Sequence, residues 1–212
     1  MSRLLLLLLL AWTGGIAPAA ASWKEKTEQP SYVHRAIKLM TDVMVYDIYS
    51  PPVASRTYAY ISIAGYEAAL DGTAGYRSLA GQLKAMPALP KPGAECSPTL
   101  AAVQAILATG RALVVSEGRV DAFGQALLAE FRAAGMPEAV LQASVAHGRA
   151  VAGAVLKWAA GDNYRQTRTF SRYAPVTDPS RWKPTPPAYM KAVEPHWNKI
   201  RPFVVDSAGQ FR

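Results

Sequence analysis

Apolar residues recur at helical spacing along most of the chain, and nowhere up to residue 160 do they alternate as a half-buried strand would. Between Tyr32 and Tyr49 they fall at Val33, Ile37, Met40, Met44 and Ile48, in steps of four, three, four and four, which make one stripe on a helix. Ser31 stands where a cap belongs, and Asp42 and Asp47 lie off the stripe. A Ser-Pro-Pro corner then ends this helix, because a proline disfavours helical geometry at the residue before it. The stretch from Ser50 to Gly72 is apolar nearly all round, with charge only at Arg56, Glu67 and Asp71. A helix of that kind belongs in the middle of a bundle. Ser50 is its expected N-cap, Pro51 fits the first turn, and Gly72 is its expected stop.

The rest of the chain repeats this grammar. Residues 72–97 form a Gly- and Pro-rich connection, long for a compact domain, with a short helical piece expected from Tyr76 to Met86. Ser97-Pro98 restarts the cap-then-proline pattern, and Leu100, Val103, Ile106, Leu107, Gly110, Leu113 and Val114 give a clean apolar face. A further helix after Ser116 carries Val120, Phe123, Leu127, Leu128 and Phe131, and Gly135 ends it. Pro137 opens another, through Leu141, Val145, Gly148, Ala152, Val155 and Ala159 to a stop at Gly161-Asp162. The small residues on that stripe predict close approach of a neighbouring helix. From Arg165 the texture changes: seven prolines between Pro175 and Pro202 rule out a long helix. The interspersed Phe170, Tyr173, Trp182, Tyr189, Trp197 and Phe203 are too many for a disordered tail. The expectation is an extended arm packed over the bundle, with a short helix from Pro187 to Val193. The fold class is therefore all-α: about five helices around the 50–72 helix, plus a Pro- and aromatic-rich C-terminal arm.

Composition adds a compartment and a charge asymmetry. Arg3, a run of leucines and then Ala-Pro-Ala-Ala-Ala-Ser read as a secretory signal peptide over 1–21, cleaved after Ala21. Its apolar core falls short of the roughly 20 residues a span needs. No later segment reads as long and apolar enough to cross a bilayer, so no membrane anchor is expected and the protein is expected to be periplasmic or secreted. What remains divides into a helical bundle, 22–164, and a basic arm, 165–212. Cys96 is the lone cysteine, so no intrachain disulfide can form. Lys and Arg number 13 against 12 acidic residues in 22–164, but nine against three in 165–212, so the basic excess sits in the arm. Export argues against nucleic acid as its partner.

The chain lacks the standard catalytic constellations. One Cys and three scattered His cannot supply a zinc site. None of His34, His147 or His196 has a Glu three residues before it, as a di-iron carboxylate bundle needs. There is no His-Glu-x-x-His, Gly-x-Ser-x-Gly or phosphate loop. His147 reads as a core histidine satisfied by hydrogen bonding. Arg56 and Glu67 lie about 16 Å apart along one helix and cannot pair. A buried Arg56 needs a carboxylate, and Asp42 or Asp47 on the preceding helix is the expected partner, in a structural ion pair rather than an anion site. No catalytic, cofactor-binding or metal-binding residue is assigned.

Three sets of residues carry a resemblance. Ser50-Pro51, Ala54-Ser55-Arg56, Tyr58-Ala59-Tyr60 and Ala64-Gly65-Tyr66-Glu67-Ala68 form the first, and Gly148, Val151-Ala152 and Trp158-Ala159 before Asp162 the second. The third is Trp182-Lys183-Pro184-Thr185-Pro186-Pro187, Tyr189, Glu194-Pro195, Trp197 and Arg201-Pro202-Phe203. Together, over about residues 32–203, they resemble the N-terminal part of bacterial vanadium-dependent haloperoxidase-like proteins, in the superfamily shared with type 2 phosphatidic acid phosphatases. The resemblance implies vanadate as cofactor of a complete member, with peroxide and halide, or a phosphoester, as its partners. It also implies an oxyanion pocket built from a Lys followed by Arg-Pro, a Ser-Gly-His segment, and a Ser-Arg segment before a second His. Arg201-Pro202 has Glu194 where that Lys belongs, and no Ser-Gly-His occurs. The expectation is thus the N-terminal, non-catalytic half of such an enzyme, inactive as this chain and prone to self-association. The alternative is a periplasmic helical binding or scaffold protein without the chemistry.

Overall fold

The computed structural model describes residues 22–70, 73–207 and 209–211. The expected signal peptide and the expected stop at Gly72 lie outside the described residues. Among those described there is no strand. The helices are α1 (Trp23–Thr27), α2 (Pro30–Tyr46), α3 (Pro51–Ala69), α4 (Pro98–Arg111), α5 (Glu117–Ala133), α6 (Glu138–Ala160) and α7 (Tyr164–Thr167), with a 3-10 turn at Trp197–Lys199. The five long helices α2–α6 are those the apolar stripes predict.

Their starts follow from local chemistry. Ser22 caps α1 with a full capping box, its hydroxyl accepting from the Glu25 N–H while its own N–H donates to the Glu25 carboxylate. Pro51 and Pro98 occupy the first turns of α3 and α4, where no N–H partner is required. Ser97 accepts from the Leu100 N–H, whereas Ser50 caps by backbone geometry alone. Helix α2 begins earlier than expected: Pro30 takes its first position and Gln29 is the N-cap, so Ser31 lies inside the helix. Ile48 lies beyond the end of α2, at φ 55°, and is 89% exposed rather than part of the stripe.

Helix α4 packs against α2, α3, α5 and α6, and α3 and α6 also pack on each other. Ten of the fourteen α4 residues are buried, which makes α4 the most enclosed helix, with α3 at its side. The reason is compositional: α4 has no charge before Arg111, while α3 must house Arg56 and Glu67. One core cluster joins α2, α4 and α5 through Met40, Val43, Leu100, Val103, Leu127 and Phe131. A second joins α3, α4 and α6 through Tyr60, Ala64, Ala101, Ala105, Val151, Val155 and Trp158. Leu79, Leu83 and Leu89 of the long connection and Phe203 of the arm cover this second cluster.

Two expected short helices are absent. Residues 76–86 make turns instead, with Gly81 (φ 77°) and Ala85 (φ 55°) in left-handed geometry that a helix cannot contain. Residues 187–193 are likewise irregular, with Tyr189 at φ 44° among the prolines. The arm packs at its two ends, through α7 and through Ile200 and Phe203, while Trp182, Tyr189, Met190 and Val193 between them are exposed. Helix α6, 23 residues long, contains an 18-residue stretch apolar enough to cross a membrane, contrary to the expectation that none would. Half of that stretch is buried inside the bundle against its neighbours.

Candidate functional site

The polar interior of the molecule centres on Arg56. Its guanidinium Nε donates to Asp162 Oδ2 at 2.7 Å, and the two side chains are only 11% and 5% exposed. Its Nη2 donates to the Tyr60 hydroxyl at 2.9 Å and to the Arg201 carbonyl at 3.0 Å. The Tyr60 hydroxyl in turn donates to Asp162 Oδ2 at 2.6 Å. Asp162 Oδ1 accepts from the Tyr164 N–H at 2.7 Å. Both carboxylate oxygens are thus occupied. Burial first, and then the bond to Asp162, push the Tyr60 phenol far above the ordinary tyrosine range, so it stays protonated and donating.

This corrects the sequence-based pairing. Arg56 does form a buried ion pair, but its partner is Asp162, 106 residues away, rather than Asp42 or Asp47. Asp42 pairs with Lys38 on its own helix. Asp47 accepts from the Val115 and Ser116 N–H groups and from the Ser116 hydroxyl, holding the entry to α5. Glu67 accepts from the Ser78 hydroxyl and the Leu79 N–H, and so pins the long connection to α3. His147 is buried on α6, on the wall of a cleft shared with Ala68, Pro92 and Cys96. Neither His34 nor His196 lines the Arg56 site; the His196 ring meets the Ser171 carbonyl at 2.8 Å.

The arm closes over the same network. Arg201 donates from Nη2 to the Trp158 carbonyl at 2.9 Å and from Nη1 to the Gly161 carbonyl at 3.3 Å, and stacks over the Trp158 ring at 4.7 Å. A cation at those carbonyls suits the negative end of α6. The Arg56 guanidinium lies 4.8 Å from the centre of the Phe203 ring. Lys84 N–H donates to the Phe203 carbonyl, and the Trp158 indole N–H donates to the Lys84 carbonyl. Residues from α3, α6, the long connection and the arm are therefore held by one set of bonds.

Beside the pair lies a cavity of about 530 Å³ between α3, the end of α4, α6 and α7. Tyr49, Val53, Leu113, Leu156 and Ala159 give it apolar walls, and Arg56, Thr57, Tyr60, Asp162, Arg165 and Gln166 its polar groups. At Asn163 the chain adopts φ 74°, the left-handed turn that brings α7 across the end of α6. Vanadate does not fit these residues. Among the described residues no histidine lines the cavity, and its buried guanidinium is already neutralised by a carboxylate at 2.7 Å, which would repel a multiply charged oxyanion. Among the described residues no group of three or more His, Cys, Asp or Glu is placed to hold a metal ion. The arrangement is a lock between segments, not an acid–base or nucleophilic constellation.

A helical bundle closed by an arm over a buried Arg–Tyr–Asp network is thus the class that the geometry defines. No protein-family model matches the chain, and no curated protein does. Among solved structures, the first bacterial vanadium-dependent iodoperoxidase matches with a TM-score of 0.79 and 42% identity over 86% of this chain. The chain is thus similar to a vanadium-dependent haloperoxidase and shares the helical fold of the part of it that it covers. It spans 44% of the length of that iodoperoxidase chain, less than half.

Proposed function

We propose that this chain is the helical scaffold portion of an exported vanadium-dependent haloperoxidase-type enzyme, and that it is inactive alone. The observation that carries the reading is 42% identity sustained over 86% of the chain, against a peroxidase of which it spans 44%. In the complete protein, a halide (iodide first) would be oxidised while peroxide is reduced to water. Phosphomonoester hydrolysis on an oxyanion pocket is the alternative activity within the superfamily. The groups that would bind vanadate lie, on this reading, outside these 212 residues: there is no Ser-Gly-His, and Glu194 stands seven residues before Arg201-Pro202 where a Lys is needed. The role of the present residues is to hold the arm in a fixed course, through Arg56, Asp162 and the Arg201 carbonyl.

The test is direct. The purified chain, supplied with orthovanadate, hydrogen peroxide and iodide or bromide in the presence of a halogen-trapping dye, is expected to give no turnover, and none with a phosphomonoester. Turnover in either assay contradicts the scaffold reading. Export is part of the same proposal. It is supported by the leader-like first 21 residues and by Ser22, whose capping box starts α1 immediately after the proposed cleavage point. N-terminal sequencing of the protein from the periplasm or medium should begin at Ser22; a cytoplasmic protein beginning at Met1 or Ser2 would refute export.

A further inference from the structure

We propose that the cavity beside Arg56 is a binding site for a small organic monoanion with a flat apolar body, such as an aromatic carboxylate. The inference is independent of the proposed activity. It rests on what the cavity has left to offer after its internal bonds are made. Both Asp162 oxygens are occupied, by Arg56, Tyr60 and the Tyr164 N–H, so the carboxylate presents little to a ligand. Donors remain. Arg56 uses Nε and Nη2, and its Nη1 makes no hydrogen bond among the described residues. Arg165 lines the cavity, is exposed, and makes no ion pair among the described residues. Among the described residues the charges on the lining are thus Arg56 balanced by Asp162, with Arg165 left over, a net of one positive charge.

That balance selects the ligand. One unbalanced guanidinium suits one carboxylate, which its planar fork can engage with two parallel bonds. The walls select the rest. Tyr49, Val53, Leu113, Leu156 and Ala159 present apolar surface around a volume of about 530 Å³, well inside the range of small-molecule sites. The Tyr49 hydroxyl, which could otherwise compete, is tied to the Leu113 carbonyl, so Tyr49 offers its ring. A flat apolar body against these walls with its carboxylate at the Arg165 rim satisfies both features. Inorganic phosphate satisfies only the second.

Isothermal titration calorimetry on the full chain with 2-naphthoate tests the site. One saturable site is expected, with 2-naphthamide, its neutral counterpart, binding at least tenfold more weakly and inorganic phosphate failing to compete. Arg165→Gln, a change at an exposed position, should weaken naphthoate about tenfold and abolish the preference over the amide. Ala160→Trp, also exposed but on the cavity lining, should remove binding of both. Thermal melts of the two variants matching the parent confirm that the fold is kept. The proposal is overturned by absence of saturable binding, by undiminished naphthoate affinity in either folded variant, or by competition from phosphate.

Discussion

At the residue scale two carboxylates hold the structure in different ways. Asp162 and Arg56 form a buried pair, and removing one member leaves the other charged without a partner in a poorly solvated place. Arg56→Met should therefore cost about 3–5 kcal/mol in chemical denaturation. Adding Asp162→Asn should recover part of that loss, because no uncompensated charge then remains. A single-variant cost below about 1 kcal/mol, the value of a surface pair, would show that the pair does not hold the interior. Asp47 acts through hydrogen bonds instead. Burial pushes its carboxyl upward, but bonds from the Ser116 hydroxyl and from the Ser116 and Val115 N–H groups outweigh this and hold it below the ordinary aspartate value. A folded value below the unfolded one gives stability that is complete above the unfolded value of about 3.9. That stability is lost as the pH falls through the native value. Asp47→Ala should cost about 1 kcal/mol at neutral pH, as loss of a helix cap does. Its stability curve should converge on the parent's as the pH drops through the acid range; a constant gap would refute the linkage.

The partner of Arg56 was the feature hardest to read in advance. The sequence shows that a buried arginine needs a carboxylate, and the helix before it offers two. Asp42 and Asp47, however, each have local work, with Lys38 and with the entry to α5. The true partner is set by α3 packing on α6, a contact across 106 residues that no periodicity reveals. The available hint was position: Asp162 directly follows Gly161 at the stop of an apolar helix, a place where a buried charge has a structural reason.

At the element scale, most of the fold was legible. The stripes of α2, α4, α5 and α6 and the Ser-Pro starts of α3 and α4 place five helices, because each feature is local and physical. What the stripes do not rank is enclosure. Helix α3 reads as the centre because it lacks a polar face, yet α4 is more enclosed, being shorter and free of charge before Arg111. Turn segments were the least legible, since positive φ at Ala85 and Tyr189 belongs to residues with no glycine-like preference for it. The small residues of α6 did predict what is seen. A methyl at Gly148 would meet the Ala101 carbonyl oxygen at 2.5 Å, Gln104 Cβ at 2.7 Å and the Ala105 nitrogen at 3.0 Å. Two of these atoms are α4 backbone and cannot step aside. Gly148→Ala should destabilise by about 2–3 kcal/mol, the range of core overpacking. Gly65→Ala, whose methyl meets the Ile106 side chain at 2.7 Å, should cost less because that side chain can rotate. Equal melting temperatures for the two variants would contradict the close α4–α6 approach.

At the scale of the whole molecule, the bundle has a well-packed interior and apolar groups left outside. Val45, Ile48 and Val115 are 73%, 89% and 78% exposed near one end of the bundle, and Trp182 and Met190 stand out on the arm at 50% and 70%. Apolar surface of this kind is expected where further structure docks. The chain expressed alone should self-associate, seen as concentration-dependent mass in light scattering after gel filtration. A monodisperse monomer at all concentrations would argue that the surface needs no cover.

On the proposed reading, these helices are the scaffold of an enzyme whose oxyanion pocket is built from further residues. The decisive measurement is the sequence of the encoding DNA downstream of the Arg212 codon. Coding sequence is expected there for a Lys followed after six residues by Arg-Pro, then a Ser-Gly-His segment, then a Ser-Arg segment leading to a second His. A stop codon with no in-frame Ser-Gly-His beyond it would contradict the account, and would leave a helical protein that carries the fold without the chemistry.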